Sequence, residues 1–161
     1  MLRKHMRDVL RIEQNEYVQP WSPTLFTSEL AQRSTRRYTV ATIGPVVAGY
    51  AGLMLVEDEG HVNTLTVDHS WQRRGIATML LLDLAKSALG AGSRHLTLEV
   101  REHNEPAKAL YMKFGFAPVG IRRNYYAETG EDGIVMWARD CDSTEYAERL
   151  AKIEAGLGPD L

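Results

Sequence analysis

A chain of 161 residues, 44% of them hydrophobic and 25% charged, is expected to form one soluble globular domain with enough side chain to bury a real core. Its formal net charge of -2 gives no overall attraction to nucleic acid or to anionic membranes. No apolar run is long enough to span a bilayer, and Met1-Leu2-Arg3-Lys4-His5 lacks the apolar core of a signal peptide, so the expected setting is the cytoplasm.

Residues His5–Tyr17 carry Met6, Val9, Leu10 and Ile12 at helical spacing. The segment stops before Gln19-Pro20-Trp21-Ser22-Pro23, and Ser22 or Thr24 is placed to cap a second helix through Leu25, Phe26 and Leu30. Trp21 in that loop fits either a core anchor or the wall of a pocket. Tyr38–Ile43 and Val46–Val56 flank Gly44-Pro45 and predict a hairpin. Glu57-Asp58-Glu59-Gly60 then reads as a polar turn into a strand over His61–Val67. Ile76–Leu89 has apolar residues at Ile76, Met79, Leu80, Leu82, Leu84, Ala85 and Leu89, which predicts a largely buried helix ended by Gly90-Ala91-Gly92.

His95–Val100 predicts a buried strand with Leu96, Leu98 and Val100 on one face and Thr97 and Glu99 on the other. Asn104 is placed to cap a helix over Glu105–Phe114, with Pro106 in its first turn and Gly115 as its stop. Ala117–Arg123 and Ile134–Arg139 are the final expected strands, joined by the polar loop Asn124–Gly133. The single cysteine, Cys141, has no partner for an internal disulfide, which fits a reducing compartment; flanked by Asp140 and Asp142, it is poorly placed to ionise and reads as inert. Thr144–Leu157 could form a charged, peripheral helix. The alternation of strands and helices predicts an α/β fold, a mixed sheet with helices on both faces. A right-handed crossover would make His61–Val67 and His95–Val100 parallel neighbours.

Chemistry is concentrated in two places. Between a strand and a buried helix lies Gln72-Arg73-Arg74-Gly75-Ile76-Ala77, where unpaired amides in the positive half of the helix dipole suit a phosphate or pyrophosphate. A plain strand–turn–helix with a solvated Arg pair is the bland alternative. Leu98-Glu99-Val100-Arg101 puts a carboxylate near the end of the adjoining strand, with Asn104 and Tyr111 following on the next helix. A carboxylate and a phenol beside a bound anion make a base and an acid; a surface carboxylate and a packed aromatic are the alternatives. No spacing of metal-ligating residues is present.

Taken in order, Gln72–Ala77, Leu98–Arg101, Asn104, Ala107, Leu110-Tyr111 and Gly115-Phe116 resemble the GNAT superfamily of acetyl-CoA-dependent N-acetyltransferases. Ile121-Arg122-Arg123-Asn124-Tyr125-Tyr126, Glu131–Met136 and Pro20-Trp21-Ser22 resemble one branch of it, the bacterial ribosomal-protein alanine N-acetyltransferases (RimI-like) and related N-terminal acetyltransferases. The resemblance implies a sheet whose strands splay to hold acetyl-CoA, with no metal. It implies that Leu65, Thr66 and Val67 present backbone groups to the cofactor arm and thioester, and that Arg73, Arg74, Gly75, Ile76, Ala77 and Thr78 hold the pyrophosphate. Asn104 would contact the arm, Glu99 would be the base and Tyr111 the acid. Trp21, Tyr125 and Tyr126 would hold the acceptor, a free protein N-terminus such as that of a small-subunit ribosomal protein beginning with alanine. On this reading residues 1–139 are one acetyltransferase domain working as a monomer or weak dimer, and 140–161 are an extension.

Two features depart from the family pattern. Only about four residues precede the first helix, so the family's first strand is expected to be very short or incomplete. The twenty or so residues from Asp140 onward have no counterpart. Glu57, Asp58, Glu59, Glu128, Glu131 and Asp132 would favour a basic peptide if they faced the acceptor; solvated loops are the alternative. Three other functions remain compatible with the sequence: a lysine or small-molecule amine acetyltransferase, a non-catalytic acetyl-CoA-binding module, and RNA binding through Arg3, Lys4, Arg7 and Arg33–Arg37.

Overall fold

The computed structural model describes residues 1–159, so Asp160 and Leu161 of the C-terminal extension lie outside the described residues. The chain runs α1 (Met6–Glu16), α2 (Pro23–Ala31), β1 (Arg36–Ile43), β2 (Val46–Val56), β3 (Glu59–Val67), α3 (Ile76–Gly90), β4 (His95–Arg101), α4 (Glu105–Lys113), β5 (Ala117–Tyr126), β6 (Glu131–Ala138) and α5 (Thr144–Ala155). One six-stranded sheet, ordered β1-β2-β3-β4-β6-β5, carries them. A short 3-10 turn over Arg3–His5 precedes α1, and no strand lies there among the described residues; the N-terminal ammonium is held by the Tyr38 carbonyl at 2.7 Å.

Two cores fix the layers. Val9, Ile12 and Phe26 of α1 and α2 pack with Val47 and Tyr50 on one face. Helices α3, α4 and α5 pack on the other, over Ala51, Leu53, Leu96, Leu98, Val100 and Met136. The α2 cap is Ser22, whose hydroxyl accepts from the Leu25 amide at 3.1 Å, with Pro23 in the first turn where its missing N–H does no harm.

Sheet register makes the site. β3 pairs with β2 from Glu59 to Val67, and β4 pairs with β6 from Leu96 to Arg101. Between β3 and β4, by contrast, parallel pairing covers only Glu59↔His95, Gly60↔Leu96 and His61↔Thr97. Asn63 has no opposite residue in β2, because the register shifts between Gly52 and Leu53. A bulge of this kind bends its strand, and it falls just past the last β3–β4 rung. The two strands part there and leave a gap open toward Val67 and Arg101.

Three sequence expectations change. The last hairpin is longer than predicted: β5 runs on through a positive-φ residue, Asn124, to Tyr126, and β6 begins at Glu131, so the loop shrinks to residues 127–130. Polar residues disguised these strand ends because β5 is an edge strand, exposed along nearly all its length. The turn before β3 is likewise shorter, with Glu59 and Gly60 already paired to β2. Helix α5, expected to be peripheral, buries Tyr146, Leu150 and Ile153 in the larger core.

Candidate functional site

The gap supplies backbone donors by simple alternation. The Asp68 amide donates to Ala48 O at 2.9 Å, so in this antiparallel ladder Thr66 exchanges its bonds with Tyr50. The amides of Leu65 and Val67 therefore point the other way, into the gap, where no β4 residue meets them. Thr66 does not join them. Its backbone is paired within the sheet, and its hydroxyl bonds that of Tyr17 at 2.8 Å. That corrects the expectation that all three residues offer backbone groups to a ligand. The Val67 carbonyl, also turned outward, accepts from the Gln72 side chain at 3.1 Å, which ties the following loop to the strand end.

At the top of the gap the loop Gln72–Gly75 leads into α3. Gly75 is its N-cap with φ of 80°, a conformation that strains any residue with a Cβ, and no side chain caps the helix. The first helical bond runs from Met79 N to Gly75 O, so the amides of Ile76, Ala77 and Thr78 have no helical acceptor. That donor set at the N-terminus of a 15-residue helix fits a pyrophosphate. Arg73 also has positive φ, 60°. Arg74 stacks its guanidinium over Trp71, 4.8 Å from the ring centre. It lines a second cavity there with Ile43, Gly75 and Gly156–Gly158 of the extension.

Below the loop a cavity of about 600 Å³ opens along the gap. Leu65, Glu99, Asn104, Tyr111, Tyr125, Tyr126 and Trp21 all line it, so the fold brings together the expected base, acid and acceptor-binding residues. Asn104 is partly committed, its Oδ1 capping α4 through the Ala107 amide at 3.2 Å. Trp21 satisfies both sequence readings: it packs on Phe26 with ring centres 5.1 Å apart and also faces the cavity.

Glu99 is held from two sides. His61 Nε2 lies 2.7 Å from its Oε2, and an Arg122 guanidinium nitrogen is 3.5 Å from Oε1. Burial alone would raise its carboxyl; its hydrogen-bond and charge partners reverse that. The hydrogen bond from His61 outweighs desolvation and holds Glu99 below the ordinary carboxylate range, helped by the charges of His61 and Arg122. Tyr111, 8% exposed, is pushed well above the usual phenol range by burial and stays a neutral donor. Cys141 fits its inert reading: buried, its thiol pushed up to about 11 by desolvation, it bonds Ala138 O.

The acidic residues offered for a basic peptide are otherwise engaged. Glu128 and Glu131 pair with Arg101, which also stacks on Tyr126 at 4.0 Å, and Asp132 pairs with Arg123. Glu57 and Asp58 sit at the far end of β3, some seven residues or ~23 Å of strand from Leu65. Among the described residues, Glu16, Asp68 and His69 come close enough to hold an ion, but Arg11 and the Ser70 amide already occupy Asp68.

Sequence reasoning missed Glu13. It is 3% exposed in the cavity wall, accepts from the Trp21 amide at 2.9 Å and from the Tyr50 hydroxyl, and is raised by desolvation against those two bonds. Its only sequence signal is an acid on the apolar stripe of α1, one residue after Ile12. Glu13→Ala strands two buried donors and should cost about 2–4 kcal/mol in urea unfolding. It should also raise the acceptor KM by freeing the Trp21 loop.

These arrangements coincide with known proteins. The model of the Acetyltransferase (GNAT) family matches residues 6–116. N-alpha-acetyltransferase RimI of Mycobacterium tuberculosis is 40% identical over 121 residues, 73% of this chain and 74% of the relative. The ribosomal protein bS18-alanine N-acetyltransferase of Escherichia coli K12 is 37% identical over 127 residues, 78% of this chain and 84% of its own. The crystal structure of the Escherichia coli ribosomal-protein-S18-alanine N-acetyltransferase superposes with a TM-score of 0.79 at 32% identity, covering 87% of this chain and 90% of that one. By family model, relatives and fold alike, this chain belongs to the GNAT acetyltransferase family.

Proposed function

We propose that the protein transfers an acetyl group from acetyl-CoA to the free N-terminal amine of a protein, with a ribosomal protein beginning in alanine as the acceptor. One observation carries this reading. The cavity that holds Glu99 and Tyr111 is walled by Trp21 from the α1–α2 loop and by Tyr125 and Tyr126 from the end of β5, with Leu65 in its lining and the Leu65 and Val67 amides turned into the strand gap along which it opens. Members of the family use acetyl-CoA, and the donor set fits it: the amides of Ile76, Ala77 and Thr78 with Arg73 and Gly75 would hold the pyrophosphate, and Leu65, Val67 and Asn104 the arm. When bound, acetyl-CoA supplies the activated acyl carbon.

The chain's own residues do the rest. An α-ammonium has a reference pKa of ~7.8 against ~10.4 for a lysine, so about 3.5 kcal/mol separates the two acceptors in ease of deprotonation. Glu99, ionised at neutral pH, takes the amine's proton through a water. Its low basicity suits the α-amine better than the lysine. The Val67 amide is the donor for negative charge developing on the carbonyl oxygen, and Tyr111 gives its proton to the departing sulfur. Aromatic walls hold the first backbone units of the acceptor and leave its amine unobstructed.

A peptide with a free Ala-Arg N-terminus should gain one acetyl group by mass spectrometry with enzyme and acetyl-CoA. The same peptide with a blocked N-terminus and an internal lysine should gain none. Acetylation of the blocked peptide alone would replace this function with lysine transfer.

A further inference from the structure

The reading of Glu99 as proton acceptor leaves its neighbour without a role. His61 sits on the last rung of the β3–β4 ladder, opposite Thr97, where the strands begin to part. Partners in a parallel ladder share a face, so the imidazole lies on the side of Thr97 and, two residues on, of Glu99. Its side chain is 25% exposed on the cavity floor, and that of Glu99 is 13% exposed. An ionised carboxylate can only accept, so Nε2 carries the proton and donates to Oε2 across 2.7 Å. Among the described residues, the other oxygen, Oε1, has only the looser contact to Arg122 at 3.5 Å.

We propose that His61 is the positioning residue of the proton acceptor: it pins Oε2 of Glu99 at the apex of the strand gap and so presents Oε1 to the water that relays the amine's proton. The proposal rests on the reading of Glu99 given above and adds a second residue to it. A carboxylate free to rotate between two oxygens would meet that water in the right orientation only part of the time. Loss of orientation slows the step that moves the proton while leaving the acceptor's own contacts, on Trp21, Tyr125 and Tyr126, untouched.

The bond also sets the charge of Glu99. The other ionisable groups lining the same cavity are Glu13 on α1 and Tyr17 just after it, Glu29 on α2, Arg36 on β1, Arg101 on β4, Tyr111 on α4, Tyr125 and Tyr126 on β5 and Glu128 before β6, with Arg122 of β5 at the carboxylate itself. Glu29 is paired with Arg36 and Glu128 with Arg101, and Glu13 accepts from the Trp21 amide and the Tyr50 hydroxyl, so each of these acids is already engaged by another partner. His61 supplies the largest of the effects that hold the carboxyl down, and Arg122 remains when it is removed.

The test compares wild type, His61→Ala, His61→Gln and Glu99→Gln for kcat, for KM with the Ala-Arg peptide and for the pH dependence of kcat, with acetyl-CoA binding measured by calorimetry. His61→Ala should lower kcat about tenfold with peptide KM changed less than about twofold, and should move the acid limb of kcat to higher pH. His61→Gln keeps an N–H donor for Oε2, so it should recover most of kcat while its acid limb still lies above that of wild type. If His61→Ala does not fold, the acid limb of His61→Gln decides.

Unchanged kcat and an unmoved acid limb in both variants overturn the proposal, as does a glutamine variant no better than alanine. Glu99→Gln separates the two layers. An active Glu99→Gln sinks the reading of Glu99 itself, whereas an inactive Glu99→Gln beside an unaltered His61→Ala sinks only the role of His61.

Discussion

Replacing Glu99 by glutamine is expected to lower kcat by roughly 10²–10⁴ while leaving the affinity for acetyl-CoA within about twofold. Glutamine keeps the volume of the side chain and an oxygen that accepts from His61 Nε2, now 2.7 Å from the carboxylate. It removes only the charge and the lone pairs that can receive a proton. The donors placed to hold the cofactor, at Ile76–Thr78, Leu65 and Val67, belong to other elements and should not respond. Titration calorimetry with coenzyme A and initial rates with a free-N-terminus peptide make the separation. A Glu99→Gln enzyme within threefold of wild type in kcat would mean that the amine arrives already neutral and needs no base.

The lowered pKa of Glu99 shapes the pH profile. Its folded value lies below the unfolded one, so ionised Glu99 contributes stability that is present above the ordinary carboxylate range and is lost as pH falls through the folded value. Activity follows the same direction. The carboxylate stays ionised well into mild acid and its protonation sets the acid limb of kcat, while the further rise toward alkaline pH belongs to the substrate's α-ammonium. Tyr111, raised by burial, does not ionise before that rise is complete and remains a donor across it.

Much of this site was legible in the chain because its chemistry is local. Gly75 before Ile76, Asn104 three residues before Ala107 and Glu99 on the polar face of an alternating strand are each defined by a few neighbouring residues. What escaped depends on register or on distant partners. Whether Thr66 offers its backbone to a ligand is decided by which of its neighbours bonds β2, and a bulge at Asn63 sets where the gap begins. The direction of the Glu99 shift is set by a histidine 38 positions earlier. Glu13 meets its partners Trp21 and Tyr50 only after α1 lies down on β2. Leu82 did carry a tertiary signal. It points away from the stripe of Leu80, Leu84 and Ala88 that faces the sheet, yet is only 5% exposed, so something besides the sheet must cover α3.

That cover is α5, and removing it should cost the protein most of its stability. Tyr146, Leu150 and Ile153 fall at i, i+4 and i+7 and enter the core as one stripe, while Glu145, Glu148 and Lys152 stay outside. Tyr146 also donates its hydroxyl to Phe114 O at 2.8 Å, and Arg149 bonds Lys113 O at 3.2 Å, so α5 clamps the end of the helix that carries Tyr111. The exposed Lys86–Glu154 pair adds little by comparison. Each of the three buried side chains is worth about 1.5–3 kcal/mol, against a total stability of about 5–15 kcal/mol for a domain. A chain ending at Asp142 should therefore be largely unfolded or aggregated at physiological temperature. Leu150→Ala alone should cost about 2–5 kcal/mol by urea denaturation and leave kcat nearly unchanged where the variant is folded. Those outcomes would make the extension part of the acetyltransferase domain. A truncated chain with the urea midpoint of the full one would return it to the status of an appendage, and Leu82 would then need another explanation for its burial.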